Sequence, residues 1–323
     1  MVGSTMRAGP DILVARSTDN GATWTAPAVL NANADGRNLN PQVTTDRMGH
    51  WVAMWGSDDS LGGTIGEDYD ILVERGLPPE NNNEQKCINE LNGRGAQVAA
   101  VRGKENRLCV KNAGKAKLPG TATACLVAGR QIRVARAMKR TIDSEIDECT
   151  GVAPRFAKTD AATVNQAAVG EEVNLTRDIF GADLDAAIIP CNADRRACMC
   201  QYVVARDADK IARTMLKVFN TCAEDALKSG AVEAAAIAAC PGTDPNEKIP
   251  KAVARLSRDV GKRCNGVLSN TAFPGTCRGA RYFSGCVAER VACRTCLMVT
   301  AMDALETDCD QADDGVTNSS CPP

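Results

Sequence analysis

All sixteen cysteines of this 323-residue chain lie between Cys87 and Cys321. An even, dense set in one stretch argues for disulfides. Disulfides in turn argue for an oxidising compartment, because cytosolic reductants keep thiols free. Residues 87–323 must therefore fold into a body whose segments approach within bonding reach at about eight places. The leading residues have no such help. The candidates for pairing are Cys87, Cys109, Cys125, Cys149, Cys191, Cys198, Cys200, Cys222, Cys240, Cys264, Cys277, Cys286, Cys293, Cys296, Cys309 and Cys321. Their connectivity stays open at the level of sequence. A cross-link closing a long loop adds about 2–4 kcal/mol, mainly by restricting the unfolded chain.

Charge divides at the same place. Residues 1–86 carry six Lys/Arg against twelve Asp/Glu, and residues 87–323 carry 32 against 28. No basic residue follows Arg294, so the chain ends in an acidic segment. Aromatic residues make up only 3%, so the cores must come from Ala, Val, Ile, Leu and Cys. The length predicts two domains. No apolar run approaches the roughly 18 residues of a membrane span. Met1-Val2-Gly3-Ser4-Thr5 lacks the basic and apolar regions of a signal peptide. The expectation is an exported chain, secreted, periplasmic or at the cell surface, whose leader has been lost by truncation.

A repeat supports that expectation. Gly3-Ser4-Thr5-Met6 followed by Asp11-Ile12-Leu13-Val14-Ala15-Arg16 recurs 59 residues later as Gly62-Gly63-Thr64-Ile65 and Asp70-Ile71-Leu72-Val73-Glu74-Arg75. Residue 3 already stands inside a repeat unit. Ile12 to Ala15 is short, apolar and bounded by turn formers, which predicts a buried strand. Asp19-Asn20-Gly21 predicts a turn, and Thr23-Trp24-Thr25 the strand after it. Pro41 to Thr44 and His50 to Trp55 predict two more strands around a turn at Asp46-Arg47-Met48-Gly49. Asp70 to Glu74 predicts the last. Gly76-Leu77-Pro78-Pro79 ends the β pattern, and residues 77–86 read as a linker.

Ser17, Asp19, Gly21, Thr23 and Trp24 fall in the pattern S-x-D-x-G-x-T-W. Residues 3–76 thereby resemble the Asp-box, or BNR, repeats of sialidase-like β-propellers. The resemblance implies that these five residues are structural. The aspartate bonds turn backbone and the tryptophan packs between strands. It also implies partial propeller blades. A six-bladed propeller at this period needs on the order of 350 residues, so little more than one unit cannot close, and exposed strand edges are expected. The arginine triad, Tyr/Glu nucleophile pair and acid/base aspartate of sialidases find no match in Arg16, Arg47, Arg75, Tyr69, Glu67 or Asp68.

Beyond residue 86 the periodicity becomes helical. Ile132, Ala135, Met138, Ile142, Ile146 and Cys149 predict one amphipathic helix with a basic outer face. Ile211, Met215, Val218, Phe219 and Cys222 predict another. Val253, Leu256, Val260 and Cys264 predict a third, and Cys286 to Glu306 a fourth. Ala231 to Ala239 ends at the stop Cys240-Pro241-Gly242, and Gly275 to Gly279 is a loop. Intervals of 40, 42 and 42 residues (109→149, 149→191, 222→264) suggest helical hairpins stapled at their ends. The expected fold is α+β in two segregated parts. An antiparallel β meander spans residues 1–76, and a disulfide-rich all-α bundle of roughly seven to ten helices spans 87–323.

Candidate chemistry is sparse. Cys293-x-x-Cys296 lacks the strand–helix setting of a redox pair. Together with Cys198-Met199-Cys200 it could form a zinc site. Asp308, Asp310, Asp313 and Asp314 cluster oxygen ligands as calcium loops do, without EF-hand spacing. The sole histidine, His50, reads as a surface turn residue, which removes Ser-His-Asp and Cys-His catalysis from the helical part. Basic residues spread along helix faces with few aromatics, so no nucleic-acid surface is expected. Asn174-Leu175-Thr176 and Asn318-Ser319-Ser320 are glycosylation triplets. The resulting expectation is an extracellular or surface structural or binding module, cut from a longer sialidase-like repeat protein. Missing upstream blades would meet a carbohydrate or cell-surface ligand. The alternative is the C-terminal piece of an exo-sialidase-like glycoside hydrolase. Whether the chain is an enzyme stays open, with the weight against it; no cofactor is expected, and calcium at the aspartates and zinc at the cysteines are the candidate ions.

Overall fold

The computed structural model describes residues 11–15, 24, 26–30, 37–45, 51–58, 69–76, 82–128, 131–152, 154, 156–229, 231 and 234–321. The chain divides into two compact units, residues 1–81 and 82–323.

In the first unit β1 (Leu13–Val14) pairs antiparallel with β2 (Ala28–Val29). Strands β3 (Asn38–Thr45), β4 (Trp51–Ser57) and β5 (Asp70–Gly76) form an antiparallel sheet in the order β3-β4-β5. Trp55 stands opposite Leu72, and Met54 opposite Val73 and Gln42. Directly opposed residues share a sheet face. One face therefore carries Ala53, Trp55 and Leu72, and the other Met54, Ile71 and Val73. The first is covered: Ile12 and Leu30, flanking β1 and β2, pack in one cluster with Ala53, Trp55 and Leu72. Trp55 Nε1 donates to Asn38 Oδ1 at 3.1 Å, satisfying the one polar atom of that ring.

Two expectations change here. Trp24 lies outside any strand, and the partner of β1 is Ala28–Val29 instead. That choice brings Leu30, which Thr23-Trp24-Thr25 has no equivalent of, against the Trp55 cluster. The third strand starts at Asn38, not Pro41. Pro41 lacks an N–H, yet it is accommodated on an edge strand by a register irregularity between Leu39 and Gln42, where Asn40 takes φ +53°. The turns at Asp19–Gly21 and Asp46–Gly49, and His50, lie outside the described residues.

The second unit has eleven α-helices among its described residues. They are α1 (Asn82–Gly114), α2 (Ala122–Ala128), α3 (Gln131–Cys149), α4 (Ala161–Phe180), α5 (Leu184–Ala187) and α6 (Arg195–Lys228). A 3₁₀ turn at Cys240–Gly242 follows α7 (Ala234–Ala238). Then come α8 (Lys248–Arg263), α9 (Ser269–Ala272), α10 (Phe283–Asp303) and α11 (Cys309–Asp314). Helix α1 starts inside the expected linker, with Glu84 in its first turn where a negative charge favours the positive end of the helix dipole. Helices α1, α4, α10 and α6 contact one another in that cyclic order, with α3 laid along α1 and α4 and α8 along α6 and α10. Asn220 bonds Asn92, and Arg107 pairs with Asp209, so α1 and α6 run antiparallel.

Helix α1 was not expected from periodicity, because glycines interrupt it. Glycine costs about 1 kcal/mol in a helix interior; close packing accounts for Gly95 and Gly103, while Gly93 meets open space. A Cβ on Gly95 would come within 2.7 Å of Met302 Sδ and 2.9 Å of Val164 Cγ1.

Helix α3 forms, but the isoleucines of the expected stripe face outward: Ile132, Ile142 and Ile146 are exposed, whereas Met138 and Cys149 turn inward. The buried face runs through Val134, Thr141, Ser144 and Cys149. It is polar because it meets polar partners on α1. Ser144 Oγ donates to Glu90 Oε1 at 3.0 Å and accepts from Arg94 Nε at 2.9 Å.

Every cysteine is bridged. The pairs are Cys87–Cys149, Cys109–Cys125, Cys191–Cys198, Cys200–Cys264, Cys222–Cys240, Cys277–Cys286, Cys293–Cys321 and Cys296–Cys309. The recurring intervals of 40 and 42 residues join no pair. Only Cys87–Cys149 and Cys200–Cys264 span long loops, 62 and 64 residues. The first ties the start of α1 to the end of α3, and the second ties the second turn of α6 to the end of α8. The other bridges fasten a short neighbouring segment to a long helix.

Candidate functional site

Of the Asp-box residues, Ser17, Asp19, Gly21 and Thr23 lie outside the described residues. Trp24 is 64% exposed, so the packing between strands that the resemblance implies is not found there.

The bridges dispose of the thiol sites. Cys293 and Cys296 bond to Cys321 and Cys309, and Cys198 and Cys200 to Cys191 and Cys264. Four sulfurs in four separate disulfides provide neither a dithiol couple nor a zinc-binding thiolate set. Cys293, Cys321 and Asp313 lie together, but the sulfurs bond each other and Asp313 pairs with Arg290 at 2.9 Å.

Three of the four C-terminal aspartates accept backbone N–H groups, and Asp313 instead pairs with Arg290 and accepts from Ser320 Oγ. Asp308 accepts from the backbone N–H groups of Asp310 and Gln311 at the start of α11. Asp310 accepts from the N–H groups of Cys321 (2.9 Å), Ser319 (2.7 Å) and Asn318. Those donors hold its carboxyl down at about 2. Asp314 accepts from Val316 N and Asn318 Nδ2, each at 2.8 Å. Each carboxylate is thus engaged in organising the segment that two disulfides fasten to α10. In the glycosylation triplets, Thr176 is buried on α4, whereas Asn318 is exposed in this cap.

Many basic residues of the helical unit are paired. Arg294 bonds Asp178 and Glu171, Arg206 bonds Asp207 and Asp259, and Arg133 pairs with Glu105.

Two features emerge that the sequence pattern did not mark. The first is a buried charged cluster where α1, α4 and α6 meet. Glu172 and Asp209 each turn an oxygen toward Gly103, where a Cβ would sit 2.6 Å from Glu172 Oε2 and 2.8 Å from Asp209 Oδ1. Burial, with Asp209 adding to it against Arg213 and Arg102, pushes Glu172 up to about 8. Burial also raises Asp209, opposed by Arg213 at 2.8 Å and Arg107 at 3.8 Å. Glu172 Oε1, Asp209 Oδ1 and Asn106 Oδ1 have no hydrogen-bond partner. The cavity they line holds about 20 Å³, room for one water. Asp209 had a signal of its own: it stands four residues after Ala205 and three before Ala212, an acid inside an apolar stripe.

The second feature is an open cleft of about 330 Å³, the size of a small-ligand site. Its floor is the last turns of α6, where Val218, Cys222, Asp225, Ala226 and Ser229 share one face. Its rim is the loop from Thr243 to Lys248. The loop is held by the Cys222–Cys240 bridge and by Asp244, whose Oδ2 accepts from Ile249 N at 2.6 Å. Burial works against the Asp244 charge, but the N–H groups of Ile249, Lys248 and Asn246 hold its carboxyl below the usual range. Its other oxygen is buried and unpartnered.

Hydrogen bonding makes the lining rich in acceptors. Thr221 and Thr243 donate their hydroxyl protons to the carbonyls of Lys217 and Ala239, which leaves oxygen lone pairs for a ligand. With Asp225, Asp244 and Asn246 these acceptors outnumber the single cation, Lys248. The arrangement can hold a small molecule bearing several N–H or O–H donors over an apolar floor. No family model, curated protein or solved structure matches this chain, so an assignment of function stands on these residues.

Proposed function

We propose that the chain is an extracellular or cell-surface binding module. Its helical unit is a disulfide-braced scaffold, and the cleft between α6 and the 243–248 loop is its ligand site. The carrying observation is that every cysteine is bridged, including the pair that shapes the cleft. A fold depending on eight cross-links suits an oxidising compartment. In this reading the β unit is a remnant of a sialidase-like Asp-box array and contributes structure. The ligand class follows from charge. Asp225 and Asp244 against Lys248 favour a donor-rich ligand of neutral or positive charge, such as a neutral or amino sugar.

Isothermal titration tests it with glucosamine, glucose and glucuronate on the full chain. The expected order is amino sugar tighter than neutral sugar, with the acidic sugar silent. Asp225→Asn weakens the amino sugar by about tenfold, the loss of one charge-assisted hydrogen bond, and Asp244→Asn weakens it through the loop that its carboxylate holds. Absence of heat from all three sugars, or binding indifferent to both substitutions, refutes the assignment of this cleft.

A further inference from the structure

Helix α3 turns an apolar stripe away from the helices it packs on. Ile132, Ala135, Lys139, Ile142 and Ile146 follow one another at steps of three, four, three and four residues, the spacing that keeps side chains on one seam of a helix. Ile132 is 68% exposed, Ile142 46% and Ile146 61%. At 3.6 residues per turn the stripe lies opposite Val134, Thr141 and Ser144, which are buried. Lys139 adds its alkyl stem to the stripe, because its amine bends to Asp143 at 2.6 Å.

Charge names the partner. The charged residues of 131–140 are all basic (Arg133, Arg136, Lys139, Arg140), and those of 141–149 all acidic (Asp143, Glu145, Asp147, Glu148). Three of them are engaged within the chain: Arg133 with Glu105, Glu145 with Lys158 and Glu148 with Lys86. Arg136, Arg140, Asp143 and Asp147 follow one edge of the stripe, with Arg136, Arg140 and Asp147 exposed. A parallel neighbour would set basic half beside basic half. An antiparallel copy sets Arg136 beside Asp147 and Arg140 beside Asp143, and two-fold symmetry makes each contact twice. The same register lays Lys139 along Ile142 and Ala135 along Ile146. An anionic membrane, by contrast, would repel the acidic half.

We propose that α3 is a self-association surface, on which two copies of the chain pair antiparallel through Ile132, Ile142 and Ile146. The helix has 19 residues and is about 28 Å long. One such helix covers less than the roughly 800 Å² per partner of a standard interface, so the dimer is a weak, reversible one. Neither the cleft nor the Asp-box resemblance enters this inference.

Sedimentation velocity of the full chain, from micromolar to hundreds of micromolar, is the test. The native chain should pass reversibly from monomer to dimer and no further. Ile142→Glu should remain monomeric. Arg136→Asp and Asp147→Arg each set like charges together at two symmetric contacts, and each should weaken the dimer by about tenfold. Their equimolar mixture should recover the native affinity as a heterodimer, because one reversed charge then meets the other and the second contact is native. Unchanged ellipticity at 222 nm checks that the variants are folded, and if Ile142→Glu disturbs it, Ile146→Glu takes its place. A native chain that stays monomeric over that range overturns the inference, and flotation of that monomer with phosphatidylserine vesicles would give the stripe to a membrane instead. A dimer that survives the glutamate substitution overturns it, as does a mixture no tighter than its two components.

Discussion

In the β unit an apolar cluster buries three side chains, Ile12, Ala53 and Trp55, while Val43, Ile71 and Val73 on the same sheet stand exposed. In the helical unit two extended apolar clusters run through α1, α4, α6 and α10, and every cysteine adds a covalent tie. The difference is one of self-sufficiency. The helical unit has its core partners within itself and is fixed by bridges. The β unit has strands with one covered face and one that leaves Ile71, Val73 and Met54 exposed. The two also report separately, since tryptophan occurs only in the β unit and helical ellipticity comes from the other.

The largest effect expected is from reducing all eight bridges. A native disulfide contributes about 2–4 kcal/mol, so eight together exceed the 5–15 kcal/mol stability of an ordinary domain. Under dithiothreitol the ellipticity at 222 nm should collapse at room temperature while tryptophan emission stays as it was. Joint collapse of the two signals would end the contrast drawn above.

Single bridges rank by loop length. Replacing Cys87 and Cys149 by alanine opens a 62-residue loop, and replacing Cys191 and Cys198 a loop of seven. Chain entropy assigns these about 4 and about 2 kcal/mol. Equal losses in denaturant midpoints would show that native contacts, not loop closure, set the contribution.

Gly275→Ala comes next, at about 2–4 kcal/mol. Its Cβ would fall 2.2 Å from the carbonyl oxygen of Asp178, against backbone that Thr276 N also bonds at 2.6 Å. Chemical denaturation followed at 222 nm reads it, and a change within experimental error would show that the loop can withdraw from α4.

Glu172→Gln has no effect at low pH and shows itself only as pH rises. Glu172 holds its proton up to about 8 in the folded chain, against about 4.3 unfolded. Between those values the native state binds a proton that the unfolded state has released, so stability falls as pH rises and levels off beyond about 8. The glutamine variant removes that slope. Its melting temperature should exceed the parent's by on the order of 10 °C at pH 8, at about 2–4 °C per kcal/mol, and match it below about pH 4. A parallel pH profile for both proteins would show Glu172 already ionised in the fold.

The two units were unequally legible. The cysteine distribution and the switch of period marked the helical unit, and the spacing around Ile211, Leu256 and Val287 marked α6, α8 and α10. Helix α1 stayed hidden because its packing uses glycines and charges. Gly95 lets Met302 and Val164 approach, and Gly103 makes room for Glu172 and Asp209. The orientation of α3 was misread because isoleucines usually point inward, whereas its inner face here is matched to Glu90 and Arg94 through Ser144. The cleft had no local signal. Asp225 and Asp244 are nineteen residues apart and meet only because Cys222 and Cys240 are joined.

The pairing of all sixteen thiols is tested most directly by alkylating the unfolded, unreduced protein and weighing it intact, then repeating after reduction. No adduct before reduction and sixteen after it is the result this structure requires. Any thiol labelled in the unreduced chain would contradict it.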